Sequence, residues 1–480
     1  MYGEEKSDLL IVAAKLANNP QGAESVERRS GAKGNAEQPH MRRTQSRESM
    51  SQRLSRVREA AKQRKKERFT ALFHLLTAEA LENAFLSLSR KAAAGVDGVR
   101  WKDYAENLKV NIADLHRRLH QGSYRAQPGR RHYIPKADGK QRPLGIASLE
   151  DKIVQYALVK ILNAVYENDF MGFSYGFRPG RSQHNALDAL ATGLVRTNVN
   201  WVLDADISQF FDKVSHEWLI RFIEHRIGDQ RVIRLIRKWL TAGTSEEGEW
   251  RASEEGTPQG AVISPLLANI YLHYVFDLWA HQWRRRHATG NVVMVRYADD
   301  IVIGFDKRID AQCFRIAMQR RLKEFGLTVH PKKTRLMEFG RFAAENRASR
   351  GKGKPETFNF LGFTHISGKD RSGRFMLIRK TRRDRMTATL KAIKDGLRKR
   401  WHYSIPEQGK WLRRVVQGYL NYHSVPGNYP MMRKFRIYVT DLWRRALRRR
   451  SQQDDTTWTK ANRLAAVWLP KVRVLHPWPV

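Results

Sequence analysis

The stretch Val292-Val293-Met294-Val295-Arg296-Tyr297-Ala298-Asp299-Asp300-Ile301-Val302-Ile303-Gly304-Phe305 constrains this chain more than any other. The β-branched runs on either side read as buried strands. The Tyr-Ala-Asp-Asp between them reads as a tight hairpin. Two adjacent carboxylates therefore stand at the tip of an otherwise apolar strand pair. Packing gives no reason for this, because like charges repel and desolvation adds to the cost. A bound divalent cation removes both objections, and hard oxygen ligands suit Mg²⁺. An isolated Asp-Asp pair is more often a solvated turn, since turns favour Asp. The company the pair keeps has to decide.

Charge narrows the partners. A net charge of +40 over 480 residues implies a polyanion, with nucleic acid ahead of an anionic membrane surface. No apolar run reaches the ~18 residues a spanning helix needs. The longest candidate, Ile263 to Trp279, is broken by Pro265, Asn269, His273 and Asp277. Met1 to Asp8 is polar and acidic, unlike a signal peptide. Cys313 stands alone, which excludes a disulfide framework and any multi-cysteine zinc module. The expectation is a cytoplasmic, nucleoid-associated bacterial protein with no membrane partner.

Residues 1–41 are poor in large apolar side chains and read as a disordered leader. Basic residues crowd 42–68, with Leu54, Val57 and Ala61 at helical spacing, so a basic helix contacting phosphates is expected there. Compact sequence starts near Phe69. Trp101 to His120 reads as one helix. Residues 131–146 read as strand, Asp-Gly turn, strand, with Lys136 and Arg142 on opposite arms where an anion could sit between them. Glu150 to Val165 reads as an amphipathic helix. Ser174-Tyr175-Gly176-Phe177-Arg178-Pro179-Gly180-Arg181-Ser182 reads as a loop whose glycines let backbone approach a ligand. Trp201 to Ile207 is a strand carrying Asp204 and Asp206 on one pleat face, and its period cannot choose between them. Thr257-Pro258-Gln259-Gly260 is a loop. Ser264 and Pro265 suit the N-cap and first turn of a helix running to about Arg285. Phe358 to Phe363 reads as a short apolar strand. From Lys380 the chain turns helical and strongly basic, with stripes at Met386, Leu390, Ile393, Leu397 and at Trp411, Val415, Tyr419, Tyr422.

One carboxylate ending a strand and two on a hairpin about 90 residues later form a constellation. Three such groups on adjacent strands can hold two metal ions about 3.5–4 Å apart, the arrangement that suits in-line displacement at a phosphate. The order of blocks resembles the bacterial group II intron-encoded reverse transcriptase/maturase family. It is carried by the basic hairpin at 131–146, Ser-Tyr-Gly-Phe-Arg-Pro-Gly-Arg-Ser at 174–182, and Asp-Ile-Ser-Gln-Phe-Phe-Asp at 206–212. Thr-Pro-Gln-Gly at 257–260, Tyr-Ala-Asp-Asp at 297–300, Phe-Leu-Gly-Phe at 360–363 and Gly-Tyr-Leu-Asn-Tyr-His at 418–423 continue it, from about residue 70 onward.

The resemblance implies an α+β right-hand polymerase: fingers and a ferredoxin-like palm over 69–379, then a helical thumb/maturase domain over 380–480. It selects Asp206, because the family's first motif is Asp, four residues, then an aromatic, here Phe211. Asp206, Asp299 and Asp300, with the Ile207 carbonyl, become ligands of two Mg²⁺ ions. Phe211 would lie under the sugar and favour dNTPs. Lys136 and Arg142 would hold the triphosphate, Gln259 would contact the nucleotide, and Lys333 would meet the pyrophosphate. Asp204 and Asp212 are assigned to structure, as are His184, His216 and His423. Implied partners are group II intron RNA, an RNA template with DNA primer, dNTPs and target DNA. The H-N-H endonuclease with paired cysteines that many members carry is expected to be missing. Two rivals stay open: a reverse transcriptase recruited to defence, CRISPR-associated or retron-like, and an RNA-binding maturase without polymerase activity.

Overall fold

The computed structural model describes residues 49–135, 141–246, 248–450 and 456–478. The leader, residues 42–48 of the basic stretch, Lys136 and the Asp138-Gly139 turn lie outside them. The strands in chain order are β1 Gly129–Pro135, β2 Gln141–Ile146, β3 Trp201–Asp206, β4 Thr244–Glu246, β5 Glu249–Arg251, β6 Val292–Tyr297, β7 Asp300–Phe305, β8 Arg335–Glu338, β9 Phe358–Phe360, β10 Phe363–Lys369 and β11 Phe375–Thr381. They form three sheets, ordered β2-β1-β4-β5, β6-β7-β3-β8 and β11-β10-β9. With the helices between them the chain is α+β.

The sheet β6-β7-β3-β8 is antiparallel throughout. Both its faces are covered, which is why β6 and β7 are apolar runs rather than alternating ones. Leu203, Ala205, Met294, Ile301 and Ile303 point into the larger core, against the helices Leu149–Tyr166, Ser264–Leu272 and Arg308–Glu324. Val202, Val293, Val295, Val302 and Met337 point the other way, into a second core with the helix Gln183–Arg196 and strands β9 to β11. Since side chains alternate, Asp204, Asp206 and Asp300 share the second face, beyond the end of its apolar filling.

Local structure corrects several expectations. Asn107, at φ −119° and ψ 37°, splits the expected single helix into Trp101–Glu106 and Leu108–His120. The helix Leu149–Tyr166 is buried on nearly every face, Asp151, Lys152 and Gln155 included, so it is a core helix rather than an amphipathic one. Ser264 is not an N-cap: the helix begins at Ser264 itself, and its hydroxyl donates to the Pro258 carbonyl at 2.8 Å. The expected unbroken helix to Arg285 contains a π-turn over His273–Asp277 before resuming as Leu278–Arg286. Phe358 to Phe363 is two strands, not one. Phe360 pairs with Phe363 across Leu361 and Gly362, at φ +45° and +79°, the two-residue turn that requires positive φ at both centres.

The basic N-terminal helix spans Met50–Gln63, with Ser49 and Gln52 forming a capping box. Ala61 is fully buried, and the Arg226 guanidinium donates to the Ala61, Arg64 and Glu67 carbonyls at 3.3, 3.0 and 2.6 Å. Four C-terminal helices, Arg383–Arg398, Ile405–His423, Tyr429–Arg448 and Trp458–Trp468, enclose a core of their own around Leu412, Val416, Phe435 and Trp443. Among the described residues no helix is long and apolar enough to cross a membrane.

Candidate active site

Asp206 is the last residue of β3 and Asp300 the first of β7, and the register pairs them directly. Directly opposed positions in an antiparallel pair hold their Cβ atoms about 4.5–5.5 Å apart. The hairpin is tighter than four residues: β6 ends at Tyr297, so only Ala298 and Asp299 turn the chain, with Ala298 at φ +56°. Burial raises the Asp299 carboxyl, and the Asp206 charge adds to it. Close packing around Asp300 pushes its carboxyl up to about 7, with Asp299, Asp206 and Asp204 contributing. Asp204 rises to about 6, mainly through burial, despite Arg335. The carboxylates thus feel one another, as a divalent site requires.

Lys333 sits on this cluster. Its ammonium donates to Asp206 Oδ2 at 2.6 Å, and that bond holds it above its ordinary value. Lys333 thus rests on the Asp206 carboxylate. Among the described residues no three His, Cys, Asp or Glu side chains close into a metal cage. Ser208 N donates to Thr328 O and His330 N to Asp206 O, at 2.8 and 2.7 Å, so those groups face the 328–330 segment.

A cleft of ≈1140 Å³ opens over this end of the sheet. Asp204, Asp206 and Asp300 line it together with six cations: Arg142, Lys332, Lys333, Arg335, Arg382 and Arg385. Six positive charges against three negative suit a polyanion. Ile134 and Leu144 of the β1–β2 hairpin, Leu361 and Gly362, and Tyr422 complete the wall. The Tyr422 hydroxyl donates to the Leu361 carbonyl at 2.8 Å and so braces that strained turn.

Phe211, Gln259 and Asp299 are not among the residues of that wall. Phe211 lies in the short turn Phe210–Asp212, half-buried, edge-on to Phe210 at 5.4 Å, and its carbonyl accepts from Thr257 N at 2.7 Å. Gln259 Nε2 donates to Asp212 Oδ1 at 2.6 Å, and its carbonyl accepts from Gly145 N at 2.6 Å. The Pro-Gln-Gly loop therefore ties the Asp212 turn to β2. His184, His216 and His423 make internal contacts with Tyr422 O, Gly256 O and Thr381 Oγ1 at 2.9, 2.6 and 3.3 Å.

The loop 174–182 does not do what its composition suggests. Both arginines turn inward. Arg178 pairs with Glu167 at 2.9 Å and donates to the Ser174 and Met171 carbonyls; Arg181 also donates to Ser174 O, at 3.1 Å. Gly176 approaches backbone rather than ligand: a Cβ there would meet Ala298 N at 2.3 Å.

Behind this contact lies a network the sequence did not suggest. Arg296 is wholly buried, and all five of its guanidinium donors are used. Nε and Nη2 fork onto Asp277 at 2.7 and 2.6 Å; Nη2 also reaches Ser174 Oγ at 2.7 Å. Nη1 donates to Asn269 Oδ1 at 3.1 Å and to Ala298 O at 3.0 Å. Asn269 in turn donates to Gly176 O at 2.7 Å. Asp277 ends the π-turn, and such insertions re-aim side chains within a helix. The carboxylate-bearing turn is thus held from below by an ion pair with 0% exposure on both sides.

Residues 134–365 match the family described as reverse transcriptase (RNA-dependent DNA polymerase). The chain carries a reverse transcriptase domain. It is similar to Protein YkfC of Escherichia coli, 43% identical over 206 residues, which cover 42% of this chain and 54% of that protein. It is 37% identical to Group II intron-encoded protein LtrA of Lactococcus lactis subsp. cremoris over 223 residues, 46% of this chain and 37% of that protein. A Putative COX1/OXI3 intron 1 protein of Saccharomyces cerevisiae matches at 26% over 393 residues, 68% of this chain and 46% of that protein. The resemblance to group II intron reverse transcriptases and maturases is met by these relatives. The matched stretches span about half of them or less.

Proposed function

We propose that this chain is an RNA-directed DNA polymerase that copies RNA into cDNA and binds group II intron RNA to assist splicing and mobility. The observation that carries this reading is the pairing of Asp206 with Asp300, with Asp299 in the turn between β6 and β7, beside a cleft whose wall also carries six cations. Fingers would lie within about 70–200 and 231–255, the palm around Asp206 and Asp299, and the thumb/maturase domain from about 380. Asp206, Asp299, Asp300 and the Ile207 carbonyl would hold two Mg²⁺ ions, which when bound neutralise phosphate charge and lower the pKa of an attacking hydroxyl.

The chain's own residues do the rest. Arg142 and Lys136 hold the triphosphate of a dNTP by charge-assisted hydrogen bonds. Lys333 exchanges Asp206 for a phosphate oxygen when substrate arrives. Phe211 sits under the sugar and excludes a 2′-hydroxyl. Gln259 leaves Asp212 to contact the nucleotide. The cationic cleft seats the RNA template with its DNA primer, while target DNA and intron RNA add contacts outside it.

The test is the double variant Asp299→Ala/Asp300→Ala. Primer extension on an RNA template should fall by orders of magnitude. RNA affinity should hold or rise, because two negative charges leave a cleft that receives a polyanion. Splicing assistance should survive, since the intron carries its own catalytic metals. Retained extension would remove the carboxylates from the chemistry. Loss of splicing with the fold intact by circular dichroism would show that they also serve maturation.

A further inference from the structure

The helices Arg383–Arg398 and Tyr429–Arg448 pack side by side, and near their C-terminal ends a small groove opens between them. Its volume is ≈110 Å³, room for a planar ring but not for a duplex. Leu397, Leu442, Ala446 and the indole of Trp401 make an apolar floor, with Lys394 and Arg398 on one bank and Arg445 and Arg449 on the other. Among the described residues no carboxylate lines it. Asp441 engages Arg445 at 2.7 Å from outside. Helix ends attract cations because each carries about half a negative charge, but four positive charges exceed Asp441 and two such ends together. That attraction also leaves the tryptophan in the groove's lining unexplained.

The groove is separate from the catalytic cleft. Arg382, Arg385 and Thr389 present the cleft-lining face of the first helix. At about 100° per residue, Lys394, Leu397 and Arg398 lie roughly 130° around it. A ligand held here is not the template or primer held there.

We propose that this groove binds an unpaired nucleotide of RNA, its base stacked on Trp401 and the flanking phosphates on the arginine and lysine banks. A planar base satisfies the apolar floor and the indole face, and a phosphate on each side satisfies the cations. Sequence preference should be weak, because stacking on a ring face does not read a base edge. The inference deepens the RNA-binding half of the proposed function and rests on that half alone.

Crosslinking on the full chain tests it. A 4-thiouridine-bearing oligouridylate is irradiated with the protein, and crosslinked peptides are mapped by mass spectrometry. Crosslinks should fall in 394–401 and 442–449. Unlabelled single-stranded oligonucleotide should compete for them better than an abasic oligomer of equal length or a duplex. Trp401→Leu should cut their yield at least about fivefold, the low end of base–aromatic stacking, and Trp401→Phe should restore most of it. Melting temperature shows whether each variant is folded, and primer extension should stay at the wild-type level. Absence of groove crosslinks, equal competition by the abasic oligomer, or equal competition by polyglutamate would each overturn the proposal. Groove crosslinks from a protein that makes no cDNA would sink the polymerase reading and leave the groove standing.

Discussion

Replacing Arg296 by Met should unfold the floor of the active site from beneath. The substitution keeps length and apolar bulk but leaves Asp277 at 0% exposure with no counter-charge. Breaking a buried pair on one side costs about 3–5 kcal/mol. Ser174 Oγ, Asn269 Oδ1 and the Ala298 carbonyl lose their donor as well. At about 2.1 cal/mol/K of unfolding entropy per residue, a loss of that order lowers the melting temperature of a 480-residue chain by roughly 3–5 °C. The double variant Arg296→Met/Asp277→Leu removes both charges and should recover most of the stability. It should not recover extension. Ala298 sits at φ +56° with its carbonyl held by Arg296, and a carboxylate turn released by about 1 Å loses on the order of 10²-fold in rate. Thermal melts and single-nucleotide extension on the wild type and both variants separate the two effects. If Arg296→Met melts within about 1 kcal/mol of wild type, the pair does not brace the fold. If the double variant regains both stability and rate, the guanidinium does not position the turn.

Further outcomes follow from the same geometry. Phe211→Val should raise rNTP incorporation relative to dNTP, read by extension with each nucleotide set; unchanged discrimination would remove Phe211 from the sugar pocket. His365 and His273 are held neutral by burial, at about 3 and about 4. The unfolded chain takes up those protons near pH 6.5 and the folded one does not, so stability is lost as pH falls from 6.5 toward 4, by up to about 1.4 kcal/mol per unit for each group. His365→Phe, which keeps the ring stacked on Phe358 at 4.7 Å, should flatten that slope in melts between pH 4 and 7. Replacing Arg58, Lys62, Lys65 and Lys66 by Gln should reduce the dependence of RNA affinity on salt, by about 0.7–0.9 in log–log slope for each phosphate no longer neutralised. An unchanged slope would assign the basic N-terminal helix to packing alone.

Period and local chemistry were enough for part of this protein. Two β-branched apolar runs around Asp299 and Asp300 read as buried strands, and β6 and β7 are that. Asp206 at the end of a strand, and the apolar and basic character of the last hundred residues, were legible for the same reason. The three-dimensional fold was needed for whatever depends on residues far apart in sequence. The Asp206–Asp300 pairing is a register across 94 positions. Gly176 looked like a ligand-facing glycine, yet its missing Cβ makes room for the Ala298 backbone. Arg178 and Arg181 hold their own loop by bonds to carbonyls that only the fold brings within reach. Asp277 lay inside what the period presented as one continuous helix, where a π-turn cannot be read from apolar spacing. Arg296 was a lone charge in a strand, and only the fold brings Ser174, Asn269 and Asp277 to it. Period reports which face of an element is buried. It carries no record of what lies across the interface, and that is where the catalytic turn acquires its support.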